Sequence, residues 1–165
     1  MSTPKHTLVI TLPSDTEIQQ ERMFDAPREL VFNAYTQADI LPRWWGPRGY
    51  TTRVDALDLR PGGKWRFVQH DPEGNEFAFH GEYLEIVPPE RLVATFEFEP
   101  QAGHIATETT TLEDFGSQTK LTAIMRFATQ EDRDGMLEAG MEQGATESMD
   151  RFEELLLEMQ RAGAM

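Results

Sequence analysis

Apolar and polar positions alternate in two runs at the start of the chain, His6–Leu12 and Glu17–Phe24, with the turn-forming cluster Pro13-Ser14-Asp15 between them. The period then changes at Asp25-Ala26-Pro27. Asp25 or Ala26 can cap a helix, and Pro27 suits a first turn, where its missing N–H would have no partner anyway. Leu30, Val31, Ala34 and Tyr35 follow at helical spacing, and Asp39 opens a second short helix, Ile40–Trp45, ended by Gly46-Pro47. From Tyr50 to about Ala128 the pattern predicts a meander of six strands: Tyr50–Leu59, Lys64–His70, Phe77–Val87, Arg91–Glu99, Ala106–Phe115 and Thr119–Phe127. Their connections carry turn chemistry. Arg60-Pro61-Gly62-Gly63 has the composition of a type II turn, and Asp71–Asn75, Pro88-Pro89, Pro100 and Gly116-Ser117 break the others.

The tail has a helical period. Leu137, Met141, Ala145, Met149, Phe152, Leu156 and Met159 recur every three or four residues, with Glu138, Glu142, Glu147, Glu153 and Glu158 between them. About 18 residues of helix span roughly 27 Å, enough to cross a sheet. Gly140 and Gly144 weaken its start; they mark either close approach to the sheet or a break between two helices. Strands in one block with the main helix after them predict an α+β fold, an antiparallel sheet with its helices on one face. With no repeat and no linker-like stretch, residues 1–165 read as one domain.

Charge and composition narrow the partners. Twenty-nine acidic against 15 basic residues leave a net charge of −14, which repels phosphate backbones and anionic lipid, so neither nucleic acid nor a membrane surface is an expected partner. No run approaches the ~20 apolar residues of a spanning helix, and Leu8–Leu12 is too short for a signal sequence, which makes the cytoplasm the expected location. The chain has no cysteine, so disulfides, thiolate metal sites and a thiol nucleophile are excluded.

Four segments, in this order, carry a resemblance: Phe24-Asp25-Ala26-Pro27-Arg28-Glu29-Leu30-Val31-Phe32, Trp44-Trp45-Gly46-Pro47, Leu59-Arg60-Pro61-Gly62-Gly63-Lys64-Trp65, and Gly81-Glu82-Tyr83-Leu84-Glu85-Ile86-Val87-Pro88-Pro89-Glu90-Arg91-Leu92. Gly140-Met141-Glu142-Gln143-Gly144 leading into Met149–Leu156 adds a fifth. From about Ile18 to Met159 the chain resembles the family named after the activator of the heat-shock-protein-90 ATPase, within the Bet v 1/START-like (SRPBCC) helix-grip superfamily; residues 1–17 look like an N-terminal addition. The resemblance implies a curved seven-stranded antiparallel sheet around a long C-terminal helix, with two short helices after the first strand and a cavity between sheet and helix. The superfamily includes lipid and hormone carriers, cyclases, hydratases and a self-sacrificing antibiotic-resistance protein, so the fold leaves function open.

Catalytic signatures are missing: there is no phosphate loop, no nucleophile elbow, no paired-His helix and no calcium loop. No catalytic residue, metal ligand or cofactor is assigned. His80-Gly81-Glu82 puts His80 and Glu82 on one side of a strand, and Arg66 on the neighbouring strand could meet Glu82 if the register allowed. Apolar residues are more informative. Trp44 and Trp45, about 100° apart on a helix, cannot both face one core position; one packs inward and the other lines a cavity mouth or the surface. Met125, Met136, Met141, Met149 and Met159 place adaptable thioethers on sheet and helix, either as plain core or as a pocket wall. Trp65, Phe67, Phe77, Phe79, Phe96 and Phe98 alternate along consecutive strands. Phe77 and Phe79 share one face while His80 and Leu84 take the other, and His80 is set towards the helix. The expected ligand-contacting set is Trp44, Trp45, Trp65, Phe67, His80, Met125, Met141 and Met149. These residues favour a binding protein for an apolar or aromatic small molecule. The alternatives are an enzyme using the same pocket, cyclase- or hydratase-like, and a chaperone-interacting protein that stimulates the heat-shock-protein-90 ATPase; a homodimer is left open.

Overall fold

A computed structural model describes residues 6–163; residues 1–5 of the expected N-terminal addition lie outside them. The strands are β1 (Val9–Thr11), β2 (Glu17–Phe24), β3 (Thr51–Leu57), β4 (Lys64–His70), β5 (Glu76–Val87), β6 (Arg91–Phe98), β7 (Ala106–Asp114) and β8 (Thr119–Arg126). They form one antiparallel sheet in the order β1-β2-β8-β7-β6-β5-β4-β3. The sheet thus has eight strands among the described residues, where seven were expected. The addition is β1, whose Val9–Thr11 pairs with Gln19–Glu21 of β2 and covers what would have been the free edge of that strand.

The meander β3–β8 follows from short turns that hold each strand beside the last. The Arg60–Gly63 turn has the anticipated form: the Gly63 N–H donates to the Arg60 carbonyl at 2.8 Å, and Gly62 sits at φ +86°, the left-handed region a type II turn requires at that position. This turn also docks on β5. The Gly62 N–H donates to the Tyr83 carbonyl and the Tyr83 N–H to the Gly63 carbonyl, beside a register shift between Tyr83 and Glu85. Such a bulge bends the strand and re-aims its side chains.

Helix α1 (Arg28–Thr36) crosses from β2 to a single 3-10 turn, Leu41–Arg43. Its N-cap is Pro27, with no side-chain cap, rather than Asp25 or Ala26, and the second short helix is this 3-10 turn rather than a longer Ile40–Trp45. Asp25 instead accepts from His6 Nε2 at 3.0 Å and Gln118 Nε2 at 2.7 Å, tying the segment before β1 to the β7–β8 turn.

The tail is two helices, α2 (Gln130–Glu138) and α3 (Met141–Gly163). Gly140 at φ +85° makes the break, so of the two readings of this glycine the break is the one found. Gly144 lies inside α3, where a Cβ would make ordinary contact with Pro47 at 3.6 Å. The inward stripe of α3 packs into the larger apolar core, with Phe152 and Leu156 buried as expected.

Two apolar clusters result. The larger gathers Phe24, Trp44, Trp65, Phe67, Phe152 and Leu156. The smaller, at the start of α3, is Ile18, Ala106 and Phe127, with Met125, Met136, Leu137 and Met141 packed on it. The break at Gly140 lets α2 swing to this second cluster, and the two do not merge. Among the described residues no helix is long and apolar enough to cross a membrane.

Candidate functional site

The cavity between the two clusters has a volume of about 320 Å³ and is walled on one side by β4–β8 and on the other by α3. Its sheet wall is aromatic. Trp45 meets Phe67 edge to face at 5.1 Å and Phe79 at 5.3 Å, Trp65 lies 4.7 Å from Phe67, and Phe79 lies 5.6 Å from Phe96, all between ring centroids. Gly81 makes this wall possible. A Cβ there would stand 1.9 Å from the Thr95 carbonyl oxygen and 2.6 Å from Trp65 Nε1, so only glycine lets the indole lie over β5 and donate to Thr95 at 3.2 Å. The helix wall is thin and flexible: Met141, Ala145 and Met149.

The tryptophan pair divides, although both residues lie past the end of the 3-10 turn and both border the cavity. Trp44 is core, 1 % exposed, its ring stacked 4.1 Å from Phe152 and its Nε1 donating to the Ala34 carbonyl at 2.9 Å. Trp45 turns the other way, onto the aromatic wall. The segment is pinned to α3 from several sides. Ser148 Oγ donates to the Trp44 carbonyl and accepts from the Gly46 N–H, while the Arg151 guanidinium donates to the carbonyls of Arg43, Gly46 and Pro47.

Seven of the eight side chains expected to contact a ligand border this cavity: Trp44, Trp45, Trp65, Phe67, Met125, Met141 and Met149. His80 does not, which corrects its placement towards the helix. Phe77 and Phe79 take the inner face of β5, and alternation sends His80 outwards, where it bridges Glu97 at 3.0 Å and Glu99 at 2.9 Å. The register also separates Arg66 from Glu82. Lys64 stands opposite Glu82 and bonds it at 2.7 Å, while Arg66 opposite His80 grips Glu99 with two nitrogens and also pairs with Asp55. Hydrogen bonds from Arg66 first, then His80, hold the Glu99 carboxyl down to about 2. This outer-face network is one of half-exposed ion pairs, remote from the cavity. Among the described residues no group of three His, Cys, Asp or Glu is placed to hold a metal.

Glu108 is the residue that sequence reasoning passed over. It lies on β7 opposite Met125 of β8 and Ala94 of β6, and it borders the cavity. Part of its surface stays accessible, but that surface faces the cavity, so burial still pushes its carboxyl up to about 7. Tyr83, on β5 of the same sheet wall, is pushed up to about 12, also by burial. Tyr35 rises further still, first through burial and then through the charge of Glu108. A signal for Glu108 existed: in Ala106-Thr107-Glu108-Thr109-Thr110-Thr111-Leu112 it shares a face with Ala106, Thr110 and Leu112, an inward row.

The raised carboxyl makes stability depend on pH. Between the ordinary value of 4.5 and about 7 the folded chain keeps the Glu108 proton that the unfolded chain has lost, so stability falls as pH climbs through that window and levels off above it. Glu108→Gln removes this dependence. Its stability relative to the parent, read by urea unfolding at pH 5 and pH 8, should rise with pH by up to about 3 kcal/mol. A difference that does not change with pH would place the carboxyl in water.

The inner cavity opens to a wider concavity of about 1310 Å³ beneath α2, the two sharing Pro47, Gln69, Phe79, Phe96 and Met136. The far rim of this mouth carries Glu131, Asp132, Asp134 and Glu138 of α2.

Solved structures share this architecture. A protein of Nitrosomonas europaea is 28% identical, with a TM-score of 0.79 over 90% of this chain and 99% of its own. One from Chromobacterium violaceum is 27% identical, with a TM-score of 0.77 over 87% and 98%. A protein of Silicibacter pomeroyi described as AHSA1 is 25% identical, with a TM-score of 0.71 over 86% and 99%. A comparison with curated proteins yields no match. The family model for the Activator of Hsp90 ATPase homolog 1-like protein matches residues 25–157, the stretch from the end of β2 into the last turns of α3. With the greater part of its length matched and the helix-grip arrangement in place, the chain belongs to the Activator of Hsp90 ATPase homolog 1-like protein family.

Proposed function

We propose that this protein binds an apolar, aromatic small molecule in the cavity between sheet and α3, with Trp45, Trp65, Phe67, Met125, Met141 and Met149 as the contacting side chains and Trp44 as their support. The observation that carries this reading is the unfilled space of about 320 Å³ behind an aromatic wall, at the small end of the range for ligand pockets. Apolar space of this kind gains packing from a fitting ligand that water does not supply.

Tryptophan fluorescence titrated with the neutral probe N-phenyl-1-naphthylamine tests it. The parent should bind saturably. Met149→Trp and Ala145→Phe, which fill the space from the helix side, should each weaken the probe at least tenfold while costing no more than about 1–3 kcal/mol of stability. No binding in the parent, together with severe destabilisation by both fillings, would mean the space is already occupied by protein and would end the carrier reading.

A second reading, an enzyme using the same cavity, is favoured by one observation. A carboxyl at about 7 in an apolar site holds acid and base forms in similar amounts near neutral pH, as general acid–base work requires. Stimulation of the Hsp90 ATPase rests on the family's description alone.

A further inference from the structure

We propose that the cavity selects an aromatic compound carrying one protonated amine, whose ammonium pairs with the Glu108 carboxylate. This rests on the reading of the cavity as a ligand site and deepens it by naming the ligand's chemistry.

Glu108 sits among side chains that carry no charge near neutral pH. Among the residues that border the cavity, the titratable ones are Glu108, Tyr35 from α1 and Tyr83 from β5. Helix α3 contributes Met141, Gly144, Ala145, Ser148 and Met149, α2 contributes Met136, and β8 contributes Leu121, Ala123 and Met125; none of these titrates. From β2 comes the neutral amide of Gln20. The nearest cation on that strand, Arg22, is committed to Asp150 at 2.7 Å and Glu153 at 3.1 Å of α3. Glu108 is therefore the one side chain of the cavity able to carry charge near neutral pH, and no cation of the described residues answers it. A carboxylate in such a place is costly unless a partner of opposite charge arrives with the ligand.

The rest of the site favours the same sign. Trp45, Trp65, Phe67 and Phe79 make the wall aromatic, and the face of an aromatic ring attracts cations and repels anions. The mouth is edged by the α2 carboxylates, and the one arginine of that helix, Arg133, is held by Asp134 and the Ser14 carbonyl. An anionic ligand meets repulsion at the rim, the wall and the floor. A neutral hydrocarbon leaves Glu108 unanswered. An aromatic amine satisfies both the apolar wall and the carboxyl.

Calorimetric titration with three probes of one shape tests this: 2-(1-naphthyl)ethylamine, 1-ethylnaphthalene and 1-naphthylacetate. At pH 8 the amine should bind at least tenfold tighter than the hydrocarbon, and the carboxylate should not bind. Lowering the pH to 5.5 protonates Glu108 and should weaken the amine roughly thirtyfold, leaving the hydrocarbon unchanged. Glu108→Gln should bring the amine to the level of the hydrocarbon, and Glu108→Asp should keep the preference. If the hydrocarbon and the amine bind equally, or the preference survives in Glu108→Gln, the inference is overturned while the cavity stands as a ligand site. If none of the three binds, the cavity reading itself fails and this inference with it.

Discussion

Phe152→Ala should cost about 3–5 kcal/mol of unfolding free energy, the range for emptying a large aromatic core position. Phe152 is fully buried where the sheet, α1 and the 3-10 segment converge on α3. Its ring stacks on Trp44 at 4.1 Å and meets Phe24 edge to face at 5.1 Å and Tyr35 at 6.0 Å. The neighbouring rings have little freedom to fill the hole; Trp44 holds the Ala34 carbonyl through its indole N–H. Such a site collapses poorly, which places the cost in the upper part of the range. Urea unfolding followed by tryptophan fluorescence measures it. A loss below about 1 kcal/mol would mean that α3 does not close the core, and the grip of helix by sheet would have to be given up.

Arg22→Ala should be nearly as damaging, for an electrostatic reason. Arg22 stands on the inner face of β2, its side chain fully buried, with Nη1 donating to Asp150 and Nη2 to Glu153. Its guanidinium also lies 5.4 Å from the Phe24 ring centroid. It therefore bolts the middle of α3 to the sheet, but at the cost of desolvating a cation whose Nε has no hydrogen-bond partner among the described residues. Removing one partner of a buried pair leaves the other charge uncompensated, a loss of about 3–5 kcal/mol, whereas replacing the whole pair by apolar groups of similar volume is often neutral. Arg22→Ala should fall in that range, and Arg22→Met combined with Asp150→Asn and Glu153→Leu should recover most of it. A triple replacement as damaging as Arg22→Ala would show that the ion group stabilises the fold in its own right.

Much of the architecture could be read along the chain, and the reasons are local. Alternation in Glu17–Phe24 and Lys64–His70 is set by a half-buried pleated surface, and the Pro61-Gly62 turn by the backbone angles those residues allow. The spacing from Met141 to Met159 marked the inward face of α3 and, with it, the buried positions of Phe152 and Leu156. Residues with weaker local signals were read less well. The alternation of His6–Leu12 marked an extended run, but not that only Val9–Thr11 of it would pair, along the free edge of β2. The helix break at Gly140 is a single left-handed residue, and glycine permits that angle without requiring it.

What the sequence determined by itself was the order and type of the elements, the apolar faces they would bury, and the aromatic and thioether side chains available to wall a cavity; these follow from side-chain periodicity and backbone preference, which act between near neighbours. Which face of β5 turned inwards was decided only in three dimensions, because Phe79 and His80 each satisfy the alternation until α3 and Trp45 supply partners for one of them. The meaning of Glu108 was decided there too. Among 29 acidic residues it is chemically unmarked; its raised proton affinity comes from walls that β5, β8, α1 and α3 bring together from opposite ends of the chain, and desolvation is a property of that assembled surface.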